Sequence, residues 1–268
     1  MDLHLEGKVA VISGGATGIG KAAALEYMKE GVQVAVFGRR LGVLESFASE
    51  AAQMGYSVYY EAVDVADKGQ VQAFANHVYE KFGHIDIWVN NAGISIDKEL
   101  MDFTDEDWER INRINVDGVY NGIRIAAGYM KIQNSGVIIN ASSYASLIPH
   151  ANGVIYAASK ASVSSLTRST GAALAPYGIR VVGYIPGMIQ TGISEEFISQ
   201  YRDKFIKDIS SGRLGVPEDL AKPIVFLSSD AAGYITACDI QITGGKFAVQ
   251  DCAMPWRMKE ENERQRKV

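Results

Sequence analysis

Cysteine is scarce in this chain, since Cys238 and Cys252 are the only two among 268 residues. Two cysteines cannot build the disulfide framework of a small secreted domain, so we expect a reducing compartment. No apolar stretch approaches the roughly 18 residues that cross a bilayer. Residues 1–8 are charged and contain no apolar signal core. These features predict a cytoplasmic protein without a membrane span.

An excess of positive charge is also lacking, because 26 basic residues face 31 acidic ones and the net charge is −5. This balance argues against a nucleic-acid surface. We find no internal repeat, no low-complexity linker and no metal-ligand spacing. The chain is 47% hydrophobic, which is enough for the core of one large domain. We expect a small-molecule substrate, with no metal, nucleic acid or membrane as a partner.

Short apolar segments alternate with segments of helical character. Residues 8–13, 31–37, 57–62, 85–89 and 137–141 are predicted strands, and residues 21–30, 41–54 and 68–82 are predicted helices. Alternation of this kind is typical of a parallel sheet that is covered by helices on both faces. We assign one domain to residues 1–250 and an extension to residues 251–268.

A glycine turn, Gly14-x-x-x-Gly18-x-Gly20, separates the first strand from the first helix. Glycines there let the backbone approach a pyrophosphate, whose charge the helix N-terminus favours. Arg39 and Arg40 follow the second strand, without the carboxylate that NAD-selective folds place there. Two guanidiniums suit a 2′-phosphate, so we expect NADP(H) rather than NAD(H). An ordinary tight turn and a solvated arginine pair are the simpler alternatives.

Polar residues follow the third and fourth strands. Asp64 and Val65 would meet an adenine ring, or would belong to the cap of the next helix. Residues 90–93, Asn-Asn-Ala-Gly, would allow close approach of a ligand, and their amides would hold neighbouring strand ends. Asn115 falls inside a long helix that begins near residue 104. It is either a surface residue or the holder of a kink and a water.

Tyr156 and Lys160 lie four positions apart at the start of a predicted helix, so they share one helical face. A cation near a phenol favours the phenolate and brings proton transfer within reach of neutral pH. Ser143 follows a predicted buried strand, and strand ends of parallel sheets face the ligand crevice. A solvated helix face is the alternative for the Tyr-x-x-x-Lys pair.

Together these residues resemble those of the short-chain dehydrogenase/reductases, over roughly residues 5–247. The shared motifs, in order, are the glycine turn, Asn90-Asn91-Ala92-Gly93, Asn115, Ser143, Tyr156-x-x-x-Lys160 and Pro186-Gly187. The resemblance implies an α/β fold: a single Rossmann-type, doubly wound domain with a seven-stranded parallel sheet. Two positions depart from the family pattern. Ser13 stands where Thr is frequent, and Thr236-Ala237 stands where Thr-Gly is frequent.

The resemblance also implies the roles of individual residues. Ser143 would hydrogen-bond the substrate oxygen, and Tyr156 would pass the proton. Lys160 would lower the tyrosine pKa and bind the nicotinamide ribose, while Asn115 would hold a relay water. The predicted cofactor-binding residues are Gly14, Thr17, Gly18, Ile19, Gly20, Arg39, Arg40, Asp64, Val65, Asn91, Ala92, Gly93, Tyr156, Lys160, Pro186, Gly187, Ile189 and Thr191. The predicted substrate-binding residues are Ser143, Tyr144, His150, Tyr156 and Met188, although a lone histidine more often packs.

Two segments lie outside these motifs. Phe197, Ile198, Tyr201, Phe205 and Ile209 recur at near-helical spacing. In the family this segment usually forms a lid whose apolar side would suit an apolar substrate; ordinary packing is the alternative. In the extension, Met254, Pro255 and Trp256 form an apolar knot that would dock on a neighbouring subunit or cap a pocket. We expect disorder in the last eight or so residues.

The predicted function is NADP(H)-dependent interconversion of a secondary alcohol and a ketone, with a hydroxysteroid or bile acid favoured by the apolar lid. A sugar or polyol dehydrogenase and a 3-oxoacyl reductase are alternatives within the family. A non-catalytic NADP-binding regulator is an alternative outside it. The resemblance also implies self-association as a homotetramer or homodimer.

Overall fold

The computed structural model describes residues 2–246 and 248–266. Its central sheet has the strand order β3-β2-β1-β4-β5-β6-β7, and every neighbouring pair is parallel. The strands are β1 (Val9–Ser13), β2 (Gln33–Gly38), β3 (Val58–Ala62), β4 (Ile87–Asn90), β5 (Gly136–Ala141), β6 (Ile179–Pro186) and β7 (Cys238–Ile242). The predicted seven-stranded parallel sheet is confirmed.

Helices cover both faces of the sheet. They are α1 (Gly18–Lys29), α2 (Leu41–Gln53), α3 (Lys68–Phe82), α4 (Asp105–Asn112), α5 (Gly118–Gln133), α6 (Val154–Leu174), α7 (Glu195–Lys207), α8 (Pro217–Ser228) and α9 (Met254–Gln265). Residues of α1, α2 and α8 pack in one core cluster, and residues of α3, α5 and α6 pack in the other. Strand β1 serves both clusters: Ala10 and Ile12 belong to the first, whereas Val9 and Val11 belong to the second. This double burial explains why β1 is apolar at successive positions.

The long helix expected to begin near residue 104 is interrupted. Helix α4 ends at Asn112, a π-helical turn spans Arg113–Asp117, and α5 continues from Gly118. Asn115 lies in this turn and is fully buried. Of the two interpretations left open by the sequence, the kink is therefore the one observed. Insertions of this kind are rare in helices and are frequent at functional sites.

The strand order reverses direction between β1 and β4. The chain leaves β1 towards β2 and later returns to place β4 on the other side of β1. Loops at the carboxyl ends of these two strands therefore diverge and leave a crevice, which is the usual ligand site of open α/β sheets. None of the helices in the described ranges is long and apolar enough to cross a membrane.

The departure from the family pattern at Ala237 coincides with unusual backbone geometry. Ala237 has φ +56°, in the left-handed region that favours glycine. Its backbone N–H donates to Val181 O at 2.8 Å, which holds the turn before β7. On α6, a Cβ added to Gly171 would lie 2.7 Å from Ala237 Cα, so the two backbones approach closely. The turn is thus kept with a residue that is strained there.

Candidate active site

A cleft of about 700 Å³ runs along the carboxyl ends of the central strands. Most of the residues predicted to bind the cofactor line it. They are Gly14, Thr17, Gly18, Ile19, Arg39, Arg40, Asp64, Val65, Asn91, Ala92, Gly93, Tyr156, Lys160, Pro186 and Thr191. The cleft therefore joins the glycine turn, the arginine pair and the tyrosine–lysine pair in one continuous space.

Three predicted cofactor residues lie behind the cleft wall. A Cβ on Gly20 would lie 2.4 Å from Gly14 O, so this glycine lets α1 begin against the turn. A Cβ on Gly187 would lie 2.7 Å from Thr243 O, at the end of β7. Ile189 is buried and forms a bridge with Gly215. Their positions suit a supporting role, and direct contact with a cofactor stays a prediction.

The sequence missed several residues of the cleft wall, including Ile94, Gly192 and Ile193. Each directly follows a predicted residue or run: Ile94 comes after Gly93, and Gly192 and Ile193 come after Thr191. The strand-end loops continue past the motifs, so a wider reading of these loops would have included them. The side chains of Ile94 and Ile193 are apolar, which indicates that the wall beyond the motifs is partly hydrophobic.

The glycine turn is held by the end of β4, as predicted. Asn91 Nδ2 donates to Ser13 O at 3.1 Å and to Gly14 O at 3.2 Å. The Ser13 hydroxyl accepts the N–H groups of Asn91 and Ala92, each at 3.0 Å. Ser13 makes both bonds with a hydroxyl, and threonine, which is frequent in the family at this position, carries the same group. Gly14 and Gly18 have φ +64° and +52°, which explains the glycines at these two positions.

The cleft offers groups that attract anions at two places. The N-cap of α1, Thr17, makes no side-chain capping bond, so the first-turn N–H groups remain available to an anion. Arg39 and Arg40 are both exposed at the far end of the same cleft. Within residues 2–246 and 248–266, neither guanidinium has an ion pair. Two cations without acidic partners suit a 2′-phosphate.

Tyr156 and Lys160 lie on α6, which begins at Val154, and Ser143 lies just after β5. The Ser143 side chain lies beside the Tyr156 phenol and acts to lower its pKa. Lys160 is 4% exposed, and its Nζ donates to Ala141 O at 2.8 Å. The same Nζ lies 5.8 Å from the centroid of the Tyr156 ring. The structure therefore brings the three residues together at the cleft.

The sequence predicted that Lys160 lowers the pKa of Tyr156. In the protein alone that prediction is wrong, because the pKa of Tyr156 is raised. Burial raises the pKa of Tyr156, and the charge of Asp97 adds to that rise, while the hydrogen bond from Ser143 opposes it. Burial also lowers the pKa of Lys160 to about 8. Desolvation disfavours the charged form of both groups and is the largest cause of both shifts. The sequence argument counted the neighbouring cation and omitted the burial.

Asn115 joins the loop after β4 to α6. Its Oδ1 accepts from Ile94 N at 2.9 Å, and its Nδ2 donates to Ile94 O at 2.9 Å and to Ser159 Oγ at 3.1 Å. These bonds hold the loop against the helix that carries Tyr156. The predicted relay water stays a prediction.

The predicted substrate residues other than Ser143 and Tyr156 fall into two groups beyond the cleft wall. Met188 packs in an apolar cluster with Ile198 of α7, and Tyr144 and Phe205 pack against that cluster. Burial raises the pKa of Tyr144 to about 12. From the predicted lid, Ile209 also belongs to this cluster, whereas Tyr201 is exposed at a kink in α7. The side chain of Phe197 lies outside what the structure describes.

His150 forms a polar pair with Asp97, which the sequence had not singled out. His150 Nε2 lies 3.1 Å from Asp97 Oδ1, and the His150 ring centroid lies 6.2 Å from that of Tyr156. The two residues are 53 positions apart in the chain. No local pattern connects them, so only the folded chain could show that this pair stands beside the tyrosine.

Comparison with known proteins agrees with this geometry. The family model described as short chain dehydrogenase matches residues 8–202. The 3-oxoacyl-(acyl-carrier-protein) reductase FabG of Thermotoga maritima is 37% identical and is covered to 99%, with 91% of this chain aligned. The 3alpha-hydroxysteroid dehydrogenase of Mediterraneibacter gnavus is 34% identical, with 91% of this chain and 98% of that protein covered.

A solved structure shares the fold as well. The gluconate 5-dehydrogenase of Burkholderia cenocepacia, in complex with NADP and tartrate, has a TM-score of 0.88 and 30% identity. The match covers 92% of this chain and 98% of that one. The sheet, the cleft, the serine–tyrosine–lysine arrangement and these matches lead to one conclusion. This chain belongs to the short-chain dehydrogenase/reductase family and is an oxidoreductase that uses a nicotinamide cofactor.

Proposed function

We propose that this protein is an NADP(H)-dependent oxidoreductase that interconverts a secondary alcohol and a ketone. The observation that carries the proposal is the placement of Ser143 and Lys160 beside Tyr156, at the cleft that also holds Arg39 and Arg40. The nicotinamide, when bound, supplies or accepts the hydride. The side chains then have to manage the substrate oxygen and its proton.

The residues divide this work between them. Ser143 holds the substrate oxygen by a hydrogen bond, and Tyr156 removes its proton as the alcohol carbon loses hydride. In the reverse direction Tyr156 returns the proton to the oxygen as the carbonyl carbon gains hydride. Lys160, one turn along α6, supplies a positive charge behind the phenol. Asn115 keeps the loop after β4 in place. Atoms and electrons balance: one hydride and one proton leave the alcohol, or join the ketone.

Replacing Tyr156 by phenylalanine tests the proton transfer. We expect turnover to fall by about 10²-fold or more, since this is the usual contribution of a positioned acid or base. NADPH binding, measured by fluorescence titration, should change little. Tyr177→Phe, at the exposed end of α6, is the matched control and should keep wild-type turnover. Undiminished turnover of Tyr156→Phe would refute the mechanism, and cofactor binding without turnover of any substrate would favour a regulator.

The arginine pair makes the preference for NADP testable. We expect Arg39→Ala and Arg40→Ala to raise the KM for NADP about tenfold or more and to leave the KM for NAD nearly unchanged. Arg110→Ala, an exposed arginine on α4, is the control. Equal effects on both cofactors, or a wild-type enzyme that prefers NAD, would contradict the assignment.

For the substrate, we propose a bulky apolar secondary alcohol or ketone such as a hydroxysteroid or bile acid. The support is the apolar cluster of Met188 and Ile198, against which Tyr144, next to Ser143, and Phe205 pack. A related protein is a 3alpha-hydroxysteroid dehydrogenase. Aromatic and aliphatic side chains in this number would bury a rigid hydrocarbon skeleton favourably.

A sugar or polyol is the second candidate, and a specific observation favours it. The Asp97–His150 pair places hydrogen-bonding groups beside Tyr156, where a polyhydroxylated substrate would find partners. A neighbour in structure is a gluconate 5-dehydrogenase. A 3-oxoacyl thioester is the third, supported by the FabG relative. Parallel kcat/KM measurements on a steroid, a sugar and a 3-oxoacyl thioester, each with both cofactors, decide among them.

We also infer a cytoplasmic, self-associating protein. The free cysteines, Cys238 and Cys252, suit a reducing compartment. Leu100, Met101 and Trp108 are exposed around the start of α4, and such a surface favours contact with another copy. Light scattering coupled to size exclusion distinguishes a homodimer from a homotetramer, and a monomer at micromolar concentration would contradict the inference.

A further inference from the structure

The segment after β7 packs on the turn that ends helix α7. Ser211 N donates to Gly244 O at 2.9 Å, and Ser210 Oγ donates to Gly245 O at 3.0 Å. Ile209 and Lys246 form an isolated antiparallel bridge. The predicted lid helix is thus tied at its C-terminal end by backbone contacts with residues 244–246.

Trp256, at the start of α9, adds a side-chain anchor to the same turn. Its Nε1–H donates to Ser210 O at 3.0 Å. Its ring lies on Gly212, where φ is +70° and where an added Cβ would approach the ring to 2.6 Å. The glycine therefore provides both the left-handed turn and the flat surface that the indole covers. An ion pair between Asp251 and Arg257 secures the start of α9.

The same segment reaches the catalytic loop at its other end. Lys246 is 5% exposed, and its Nζ lies 5.2 Å from the centroid of the Tyr144 ring and 5.4 Å from that of Phe205. Tyr144 directly follows Ser143, and Phe205 belongs to α7. Contacts therefore run without a break from the indole, through the turn and α7, to the residue beside the catalytic serine.

We propose that residues 244–246 and 248–256 form a strap that positions helix α7 against the substrate side of the active site, with Trp256 as its positioning residue. None of the described strap residues, 244–246 and 248–256, lines the cleft that holds the glycine turn, Arg39 and Arg40. Loss of the strap should therefore weaken substrate binding and spare the cofactor. The inference rests on the proposed function for its kinetic consequence only.

Trp256→Ala tests the strap in two ways. We expect the substrate KM to rise about tenfold while kcat and the KM for NADP stay within about twofold, which is the signature of lost uniform binding. We also expect faster tryptic cleavage after Arg202, Lys204 and Lys207 of α7, followed by mass spectrometry of the fragments. These three residues are exposed, so cleavage there reports the freedom of the helix.

Met258→Ala, at an exposed position on the same helix, is the matched control and should behave as wild type in both assays. Trp256→Phe keeps a ring and loses the N–H donor, so cleavage of α7 should be at least about twofold faster. Trp256→Phe tests the strap if Trp256→Ala does not fold. Wild-type cleavage and wild-type substrate KM in either variant would overturn the strap, as would a parallel rise in the KM for NADP. Proteolysis needs no turnover, so it tests the strap even if the proposed reaction is wrong.

Discussion

Two side chains act on the pKa of Tyr156. Ser143, in the loop after β5, acts to lower it, and the charge of Asp97, in the loop after β4, raises it. His150 and Lys160 face the ring of Tyr156. Burial of the phenol and the carboxylate of Asp97 both raise the pKa of Tyr156. The proton affinity of the residue is therefore decided by the side chains that the fold assembles around it.

The carboxylate of Asp97 gives a directional prediction for pH dependence. A negative charge disfavours the phenolate, so Asp97→Asn should lower the pKa of Tyr156. Alcohol oxidation needs Tyr156 as the phenolate, which takes the proton of the alcohol, so the acidic limb of the kcat/KM profile should move to lower pH. The asparagine keeps a hydrogen-bonding group for His150. Asp102→Asn, an exposed carboxylate nearby in sequence, is the control and should leave the profile unchanged. A limb that stays in place or moves upward contradicts the electrostatic account.

Among the elements, the α4–α5 pair shows which features a local sequence pattern predicts and which depend on tertiary contacts. The acid-rich first turn predicted the start of α4, and Thr104 does cap it, with its Oγ1 accepting from Asp107 N at 3.2 Å. The π-helical turn at Asn115 was only one of two options, because asparagine in a helix is also common on a surface. The bonds to Ile94 that decide it come from a loop 21 residues away.

Removing the side chain of Asn115 should affect the stability of the fold as well as the activity. Asn115→Ala would leave Ile94 N and Ile94 O without their partner next to buried side chains. We expect a loss of about 1–3 kcal/mol in the free energy of unfolding, the usual penalty for buried polar groups without partners. Urea denaturation of the variant measures it. Asn112→Ala, three positions earlier with an exposed side chain bonded to Trp108 O, should cost much less. Equal losses for the two variants would show that the π-turn does not depend on this amide.

At the scale of the whole molecule, Lys160 is buried at the cleft where the strand order reverses. Burial lowers the pKa of Lys160 from 10.5 to about 8. Between these values the unfolded chain binds more protons than the folded one, so this lysine makes stability rise with pH. Below pH 8 it is charged in both states, and the fold bears the full penalty of burying the charge.

The expected size follows from the shift. From pH 8 to pH 10 the wild type should gain on the order of 2 kcal/mol in unfolding free energy relative to Lys160→Met. The raised tyrosine pKa values oppose this gain equally in both proteins and cancel in the difference. Urea unfolding at the two pH values measures it, and Lys222→Met, an exposed lysine on α8, should follow the wild type. If the unfolding free energies of wild type and Lys160→Met change equally with pH, the ammonium of Lys160 is solvated in the folded protein.

In the extension, α9 continues to Gln265, with ion pairs Lys259–Glu263 and Arg264–Glu260 at i, i+4 spacing. Such pairs add helix stability at the surface. From the knot, Trp256 packs on its own chain, at Ser210 and Gly212. Disorder of the last eight or so residues and docking on a neighbouring subunit stay predictions. Lys267 and Val268 lie outside the described residues.

By itself the sequence determined the alternation of strands and helices, the glycine turn, and the tyrosine–lysine spacing. These are local properties, because side-chain periodicity and glycine geometry act within a few residues. Only the tertiary structure decided the Asp97–His150 pair, 53 residues apart, and the Trp256–Ser210 contact, 46 residues apart. It also decided the direction of the Tyr156 pKa, because desolvation depends on everything packed around a group and not on its neighbours in the chain.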